Sequence, residues 1–289
     1  MLEKFKTSWA LMMESLAVIR RDRVLLLFPI LSGVFALGFL AALAVPLFLS
    51  GGLDKDTVRS VAGPAALAGM FLLYFALAFI STFFSTCTVY AVKATLEGGS
   101  PGLGECLSFA AGKLPQILAW AAISATVSVL LRQLESMAAK GGWFGRWVMG
   151  LVVGLFGLAW SLATIFVVQG MVYEDHSPIN AIKDSVKVLK KAWGEDLAQA
   201  VTIGTASTLL ALLGIAVGVV GAVLAYQVGV LAMLGVALLT IAYLMLLVLL
   251  DNTLRAVFHT VLYVYARDGK APKGFDQELL KRSFVRNTA

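Results

Sequence analysis

The sequence predicts an all-α polytopic membrane protein. Its six transmembrane helices form three repeats of an interfacial amphipathic helix plus a transmembrane hairpin, with both termini cytoplasmic. Three observations point there. Of 289 residues, 60% are apolar and 14% charged, about half the usual charged share, and mean hydropathy is +0.88. Long apolar stretches recur at the ~20 residues that a helix needs to cross a bilayer. Lys and Arg alternate in density between the segments that join those stretches.

The composition excludes an ordinary soluble domain and a disordered chain. Cys87 and Cys106 alone make no disulfide framework, and two distant histidines make no zinc site. No cofactor and no metal are expected. The six stretches are roughly Val24 to Ser50, Val61 to Val92, Pro115 to Leu131, Trp143 to Tyr173, Leu197 to Ala225 and Val228 to Tyr265. They are helical because a backbone in lipid satisfies its own hydrogen bonds. A β-barrel would need short alternating segments, which are absent. The first apolar stretch is longer than a signal-peptide core and reads as a retained span.

Orientation follows from charge. Of the 23 Lys and Arg residues, 18 fall on one side: the N-terminal segment, the second and fourth loops and the C-terminal tail. That split predicts N-in and C-in topology in the cytoplasmic membrane. The net charge of +6 is thereby a topology signal. No basic run is interleaved with exposed aromatics, so nucleic acid is not an expected partner.

A repeat runs through the chain. Glu97, Ser100, Pro101, Ser108 and Lys113 recur with the same spacing as Glu174, Ser177, Pro178, Ser185 and Lys190. Thr7, Ser15 and Arg20 make a partial copy, and Asp268, Ala271 and Pro272 a remnant. Ser followed by Pro is a helix start. Beyond Pro178, Ile179, Ile182, Val186, Leu189 and Trp193 form an apolar stripe. Lys183, Lys187, Lys190 and Lys191 lie opposite and are candidate contacts for lipid head groups. Phe5, Trp9, Met12, Leu16 and Ile19 form a similar stripe. The chain reads as one membrane domain, 1–289, with units about 1–96, 97–173 and 174–268 and a cytoplasmic tail, 269–289.

The last span holds the most unusual group: Asp251, Asn252, Arg255 and His259. Asp251, Arg255 and His259 share one helix face, and the first two suit an i,i+4 ion pair. Ionisable groups within a span face a bundle interior, a partner or water. Counting back from Asp268 places Asp251 deep in the membrane. Counting forward from Val228 places it at the interface. Both depths stand at this point.

Hydroxyls crowd the second span at Ser81, Thr82, Ser85, Thr86 and Thr88, and recur at Ser124, Thr126 and Ser128, at Ser161, Thr164 and Gln169 with its amide, and at Thr202, Thr205, Ser207 and Thr208. They either line a pathway or bond their own backbone. Gly150 with Gly154 and Gly214 with Gly218 mark close helix contacts, within a chain or between subunits. Trp143, Trp147 and Trp193 read as interfacial anchors. No Walker A, nucleophile-elbow or zincin motif occurs, so the chain reads as non-enzymatic. Glu174, Asp175 and His176 read as a helix terminus.

Several local patterns together resemble a family: Ser8-Trp9 leading to Ser15, Arg21-Asp22-Arg23 before Phe28-Pro29, Ser185 through Trp193-Gly194, and Leu262-Tyr263 with Tyr265-Ala266, then Pro272 and Gly274-Phe275-Asp276. They resemble uncharacterised six-helix prokaryotic integral membrane proteins, similar in layout to the membrane domain of glycerophosphoryl diester phosphodiesterases. The resemblance implies a six-helix membrane fold and carries no catalytic residues. Two functional readings follow: a channel or transporter with the polar face of the last helix on its path, or an organiser that binds membrane lipids or envelope partners through its interfacial helices. A homo-oligomer is among the expected assemblies.

Overall fold

The computed structural model describes residues 13–49, 64–140, 142–193, 198–278 and 280. In chain order the helices are α1 (13–21), α2 (Val24–Leu49), α3 (Pro64–Glu97), α4 (Leu103–Gly112), α5 (Leu114–Lys140), α6 (Trp143–Ala163), α7 (Val167–Tyr173), α8 (Pro178–Trp193), α9 (Ala198–Tyr226) and α10 (Val230–Asp268). No strand occurs among the described residues. Six stretches there are long and apolar enough to cross a membrane: in α2, α3, α5, the joined α6 and α7, α9 and α10. This is a multi-pass helical membrane protein.

The helices share one packed end. Its core draws Val18 and Ile19 from α1, Leu25 and Phe28 from α2, Phe84 to Leu96 from α3, Ile117 and Trp120 from α5, Met171 from α7, and Val257 to Tyr263 from α10. α3 is the hub, touching α2, α4, α5, α7 and α10. Away from this base the same helices expose their apolar side chains, among them Leu37, Leu49, Leu72, Leu155, Val217 and Leu231. Such a surface suits hydrocarbon.

Length explains the division. α10 has 39 residues, ~58 Å at helical rise, nearly twice the ~30 Å hydrocarbon core. Its large apolar side chains are exposed from Val230 to Val248 and it is buried at Thr253, Val257 and Thr260 to Tyr263. Asp251 stands at the changeover, about 32 Å along the helix from Val230.

Several expected boundaries shift. The third span continues as helix to Lys140, past Leu131. The fourth is interrupted between Ala163 and Val167. α4 begins at Leu103 with Gly102 as its N-cap and no side-chain cap, so Ser100-Pro101 precedes the helix by a turn. α8 does begin at Pro178. On α8, Ile179 is 61% exposed, and the buried positions are Pro178, Ala181 and Ser185, with Ile182, Val188 and Leu189 packed behind them. The inward stripe is rotated because α7 approaches so closely: a Cβ on Gly170 would sit 3.3 Å from Ala181 Cβ. Phe5, Trp9, Met12, Lys4, Lys6, Thr7, Lys55, Arg59 and Gly194 lie outside the described residues.

The segment after α10 is folded back. Gly269 adopts a left-handed φ of 70° and closes the helix on Tyr265 O. Gln277 ties the loop by accepting from Ala271 N at 2.6 Å and donating to Gly269 O at 3.2 Å. Phe275 and Leu280 enter the core beside Val18 and Ile19. Burial, with Asp276 nearby, pushes the Glu14 carboxyl up.

The glycine pairs separate by role. A Cβ on Gly214 would run into the Tyr243 ring, and one on Gly218 into the Thr240 side chain. These glycines hold α9 against α10, and Tyr243 Oη donates to Leu210 O at 3.2 Å. Gly150 and Gly154 meet nothing within 4 Å. Gly218→Leu is therefore expected to destabilise the hairpin by about 1–3 kcal/mol through overpacking, read as a lowered Tm in detergent. Gly154→Leu should leave Tm unchanged.

Candidate functional site

The four residues expected on one polar face part company. Arg255 Nε donates to Asp251 Oδ2 at 2.7 Å, the i,i+4 pair that the spacing predicts. Side-chain exposure is 36% for Arg255 and 20% for Asp251, so the pair sits at the edge of the packed base. His259 lies edge-on to Phe166, with ring centroids 5.9 Å apart. It belongs to an aromatic group completed by Tyr263, 6.2 Å from Phe166 and 5.8 Å from Tyr173.

Asn252 alone opens into a cleft. The cleft is walled by α2 from Phe28 to Leu37, by α3 from Ser81 to Thr88 and by α10 from Ile241 to Ala256, and has a volume of 730 Å³. It is mostly apolar, with a stripe of hydroxyls at Ser81, Ser85 and Thr88, spaced to share one face of α3. Asp251, Arg255 and His259 are not among its lining residues.

Most other hydroxyls in the spans are turned onto their own helices. Thr86 donates to Thr82 O, Thr88 to Phe84 O, Thr126 to Ala122 O, Ser128 to Ser124 O, Thr164 to Trp160 O, Thr253 to Leu249 O and Thr260 to Ala256 O, all at 2.7–2.9 Å. Four-residue back-bonding leaves few hydroxyl protons for a pathway. Gln169 is buried, and its Oε1 has no hydrogen-bond partner among the described residues.

The interrupted fourth span explains Ser185. Between α6 and α7 the backbone leaves the helical ladder, and Phe166 N donates to Ser185 Oγ at 3.1 Å. Ser185 is fully buried on α8. Its motif counterpart Ser108 is exposed, because no helix break faces it. The repeated serine thus has two fates, which spacing alone did not distinguish.

At the same end, charges close the base. Asp175 takes a left-handed φ of 54° and pairs with Lys113, while Gln116 Nε2 donates to Asp175 Oδ1 at 2.6 Å. Glu174 accepts from Arg267 Nη1 at 3.0 Å, and Lys93 and Arg267 lie 4.9 and 5.2 Å from the Tyr173 ring centre. His176 Nδ1 lies 2.7 Å from Asp184 Oδ2. Asp22 is buried, accepting from Val24 N at 3.0 Å and from Thr95 Oγ1 at 3.3 Å. The Glu174 to His176 cluster is a helix terminus bound to its neighbours. No group of three or more His, Cys, Asp or Glu that could hold a metal occurs among the described residues. Burial, with Glu105 and Asp22 nearby, pushes the Cys106 thiol up to about 11, so it stays a protonated, inert thiol at neutral pH.

On α8, Lys183, Lys187 and Lys190 are exposed. Lys187 Nζ lies 2.9 Å from Asp184 Oδ1 with its side chain 77% exposed. The Lys191 and Trp193 side chains, like those of Trp143, Thr202, Thr205 and Ser207, lie outside what is described. Trp147 is exposed.

Fold and site together define a polytopic α-helical membrane protein. The chain belongs to a family of unknown function, DUF6159, whose family model matches residues 64–275. No curated protein matches it, and no solved structure does.

Two outcomes test this geometry. Ser185→Ala removes the bond to a buried backbone N–H and should cost about 1–3 kcal/mol, with faster amide exchange at residues 164–167; Ser108→Ala should be neutral. Lys113, then Gln116, hold the Asp175 carboxyl below its ordinary value of 3.8. A depressed folded-state value makes this tie fully present above 3.8 and lost as pH falls through the lower folded value. Asp175→Asn should lower Tm at pH 7, and the difference from wild type should shrink as pH falls below 3.8 and through the lower folded value.

Proposed function

We propose that the protein is a non-enzymatic organiser of the cytoplasmic membrane, with both termini inside, that engages anionic lipid head groups through α8. The observation that supports it is the division of α8 into two faces. Ala181 and Ser185 are buried against the base, and Lys183, Lys187 and Lys190 are exposed on the other side. A cationic stripe on a helix fixed beside lipid-exposed spans is attracted to an anionic leaflet by about 1 kcal/mol per Lys near the surface. The 18-to-5 distribution of Lys and Arg supports the inward orientation. Short helix followed by two spans, three times along the chain, supports a three-unit architecture. The shared layout with glycerophosphoryl diester phosphodiesterase membrane domains belongs to the same proposal. Membrane lipids are the partners it requires.

A second reading, a transporter, draws on Asn252 in the cleft and on the break in the fourth span, since non-helical backbone at membrane depth is tolerated where it is buried in protein or lines water. The closed Asp251–Arg255 pair and the back-bonded hydroxyls favour the organiser.

Replacing Lys183, Lys187, Lys190 and Lys191 by Gln should weaken association of nanodisc-held protein with anionic vesicles at least tenfold; unchanged association would remove this version. In proteoliposomes the wild type should pass no ions. Flux abolished by Asp251→Ala or Arg255→Ala, with the fold intact, would restore the transporter.

A further inference from the structure

We propose that the cleft between α2, α3 and α10 is a phospholipid seat: one acyl chain lies along it, the ester region meets Asn252, and an anionic head group meets Arg23 at the foot of α2. The proposal goes beyond the lysine face of α8 and does not depend on it.

Depth comes first. The cleft's far end, at Ile241, is about 16 Å along α10 from Val230, half of a ~30 Å hydrocarbon core. Its near end, from Asn252 to Ala256, is about 33–39 Å along, from the border of that core to just beyond it. A cleft of 730 Å³ that reaches from midplane to interface has the length and depth of one leaflet.

Polarity comes second. The walls at the midplane end are apolar, with Leu37, Ile241 and Met245. Asn252 and Thr88 lie toward the base, while Ser32, Ser81 and Ser85 are spread along the walls. Asn252 is exposed into the cleft and makes no hydrogen bond among the described residues. Thr88 spends its hydroxyl proton on Phe84 O, while Ser81 and Ser85 have no bonded partner among the described residues. An unpaired amide beside hydrocarbon is costly. The ester carbonyls of a seated lipid accept from its NH2.

Charge comes third. Arg20, Arg21 and Arg23 are exposed and form no ion pair among the described residues. Arg23 is five residues before Phe28, ~8 Å of rise, and Phe28 lines the cleft. Arg23 at that foot, with no ion pair among the described residues, favours a phosphate-bearing anionic head group.

Glycine supplies the test. Gly33 lines the cleft, and a Cβ there would meet nothing within 4 Å. Gly33→Trp puts an indole ring on the cleft wall from a position whose Cβ is unobstructed. Gly38, equally open and not among the lining residues, gives the control Gly38→Trp. Native mass spectrometry of the full chain, with phosphatidylglycerol or phosphatidylcholine added to the detergent, reads the seat. One phosphatidylglycerol per chain should be retained, at least tenfold less in Gly33→Trp and unchanged in Gly38→Trp. Asn252→Leu should reduce retention severalfold. The four-lysine Gln variant of α8 should retain the lipid fully, so loss of vesicle association and loss of this seat read separately. Undiminished retention in both Gly33→Trp and Asn252→Leu would overturn the seat. Equal retention of phosphatidylcholine would overturn the anionic head group. A lipid-free dimer that Gly33→Trp dissociates would assign the cleft to a second copy instead and overturn the proposal.

Discussion

Backbone hydrogen bonding in hydrocarbon is the constraint on which this structure depends. An N–H or C=O in lipid has no water to turn to, so it is satisfied within its own helix or by a neighbouring side chain. The spans obey this almost throughout as unbroken helices. The one interruption among the described spans, between α6 and α7, occurs where Ser185 reaches across from α8 to Phe166 N. The hydroxyls of Thr86, Thr126 and Ser128 follow the same rule by returning to their own carbonyls.

That serine bond also organises the base. α8 is held against α7 at Gly170 and Ala181, where a Cβ on the glycine would be a tight 3.3 Å contact. With α8 fixed, its buried face is set by Ala181 and Ser185 and its cationic face is set with it. The aromatic group of Phe166, His259 and Tyr263 then packs the broken span against α10. Away from this base the described packing includes that of α9 against α10. The outer portions of α2, α9 and α10 carry exposed Leu, Val and Phe, and the glycine contacts of α9 keep one hairpin together there.

A protein built this way has a rigid polar end and a hydrocarbon-facing remainder. Its recognisable features are a cationic helix face and a leaflet-length cleft. The charged residues of the base, Asp22, Asp175, Glu174 and Arg267, are occupied in ties between helices. They hold the ends of α3, α5, α7 and α10 in register.

Class, span number and the Asp251–Arg255 pair were legible in the sequence. Hydropathy acts over some 20 residues, and an i,i+4 pair is a property of one helix. Where Asp251 stands along α10, which face of α8 turns inward and which glycine pair closes a hairpin were not legible. Each depends on what a second helix brings up to the first. Ser108 and Ser185 carry the same motif, yet only Ser185 meets a helix break. Asp251, Asn252 and His259 are near neighbours on one helix, yet they face an arginine, a cleft and an aromatic cluster. Periodicity fixes which residues share a face; tertiary packing alone decides what that face meets.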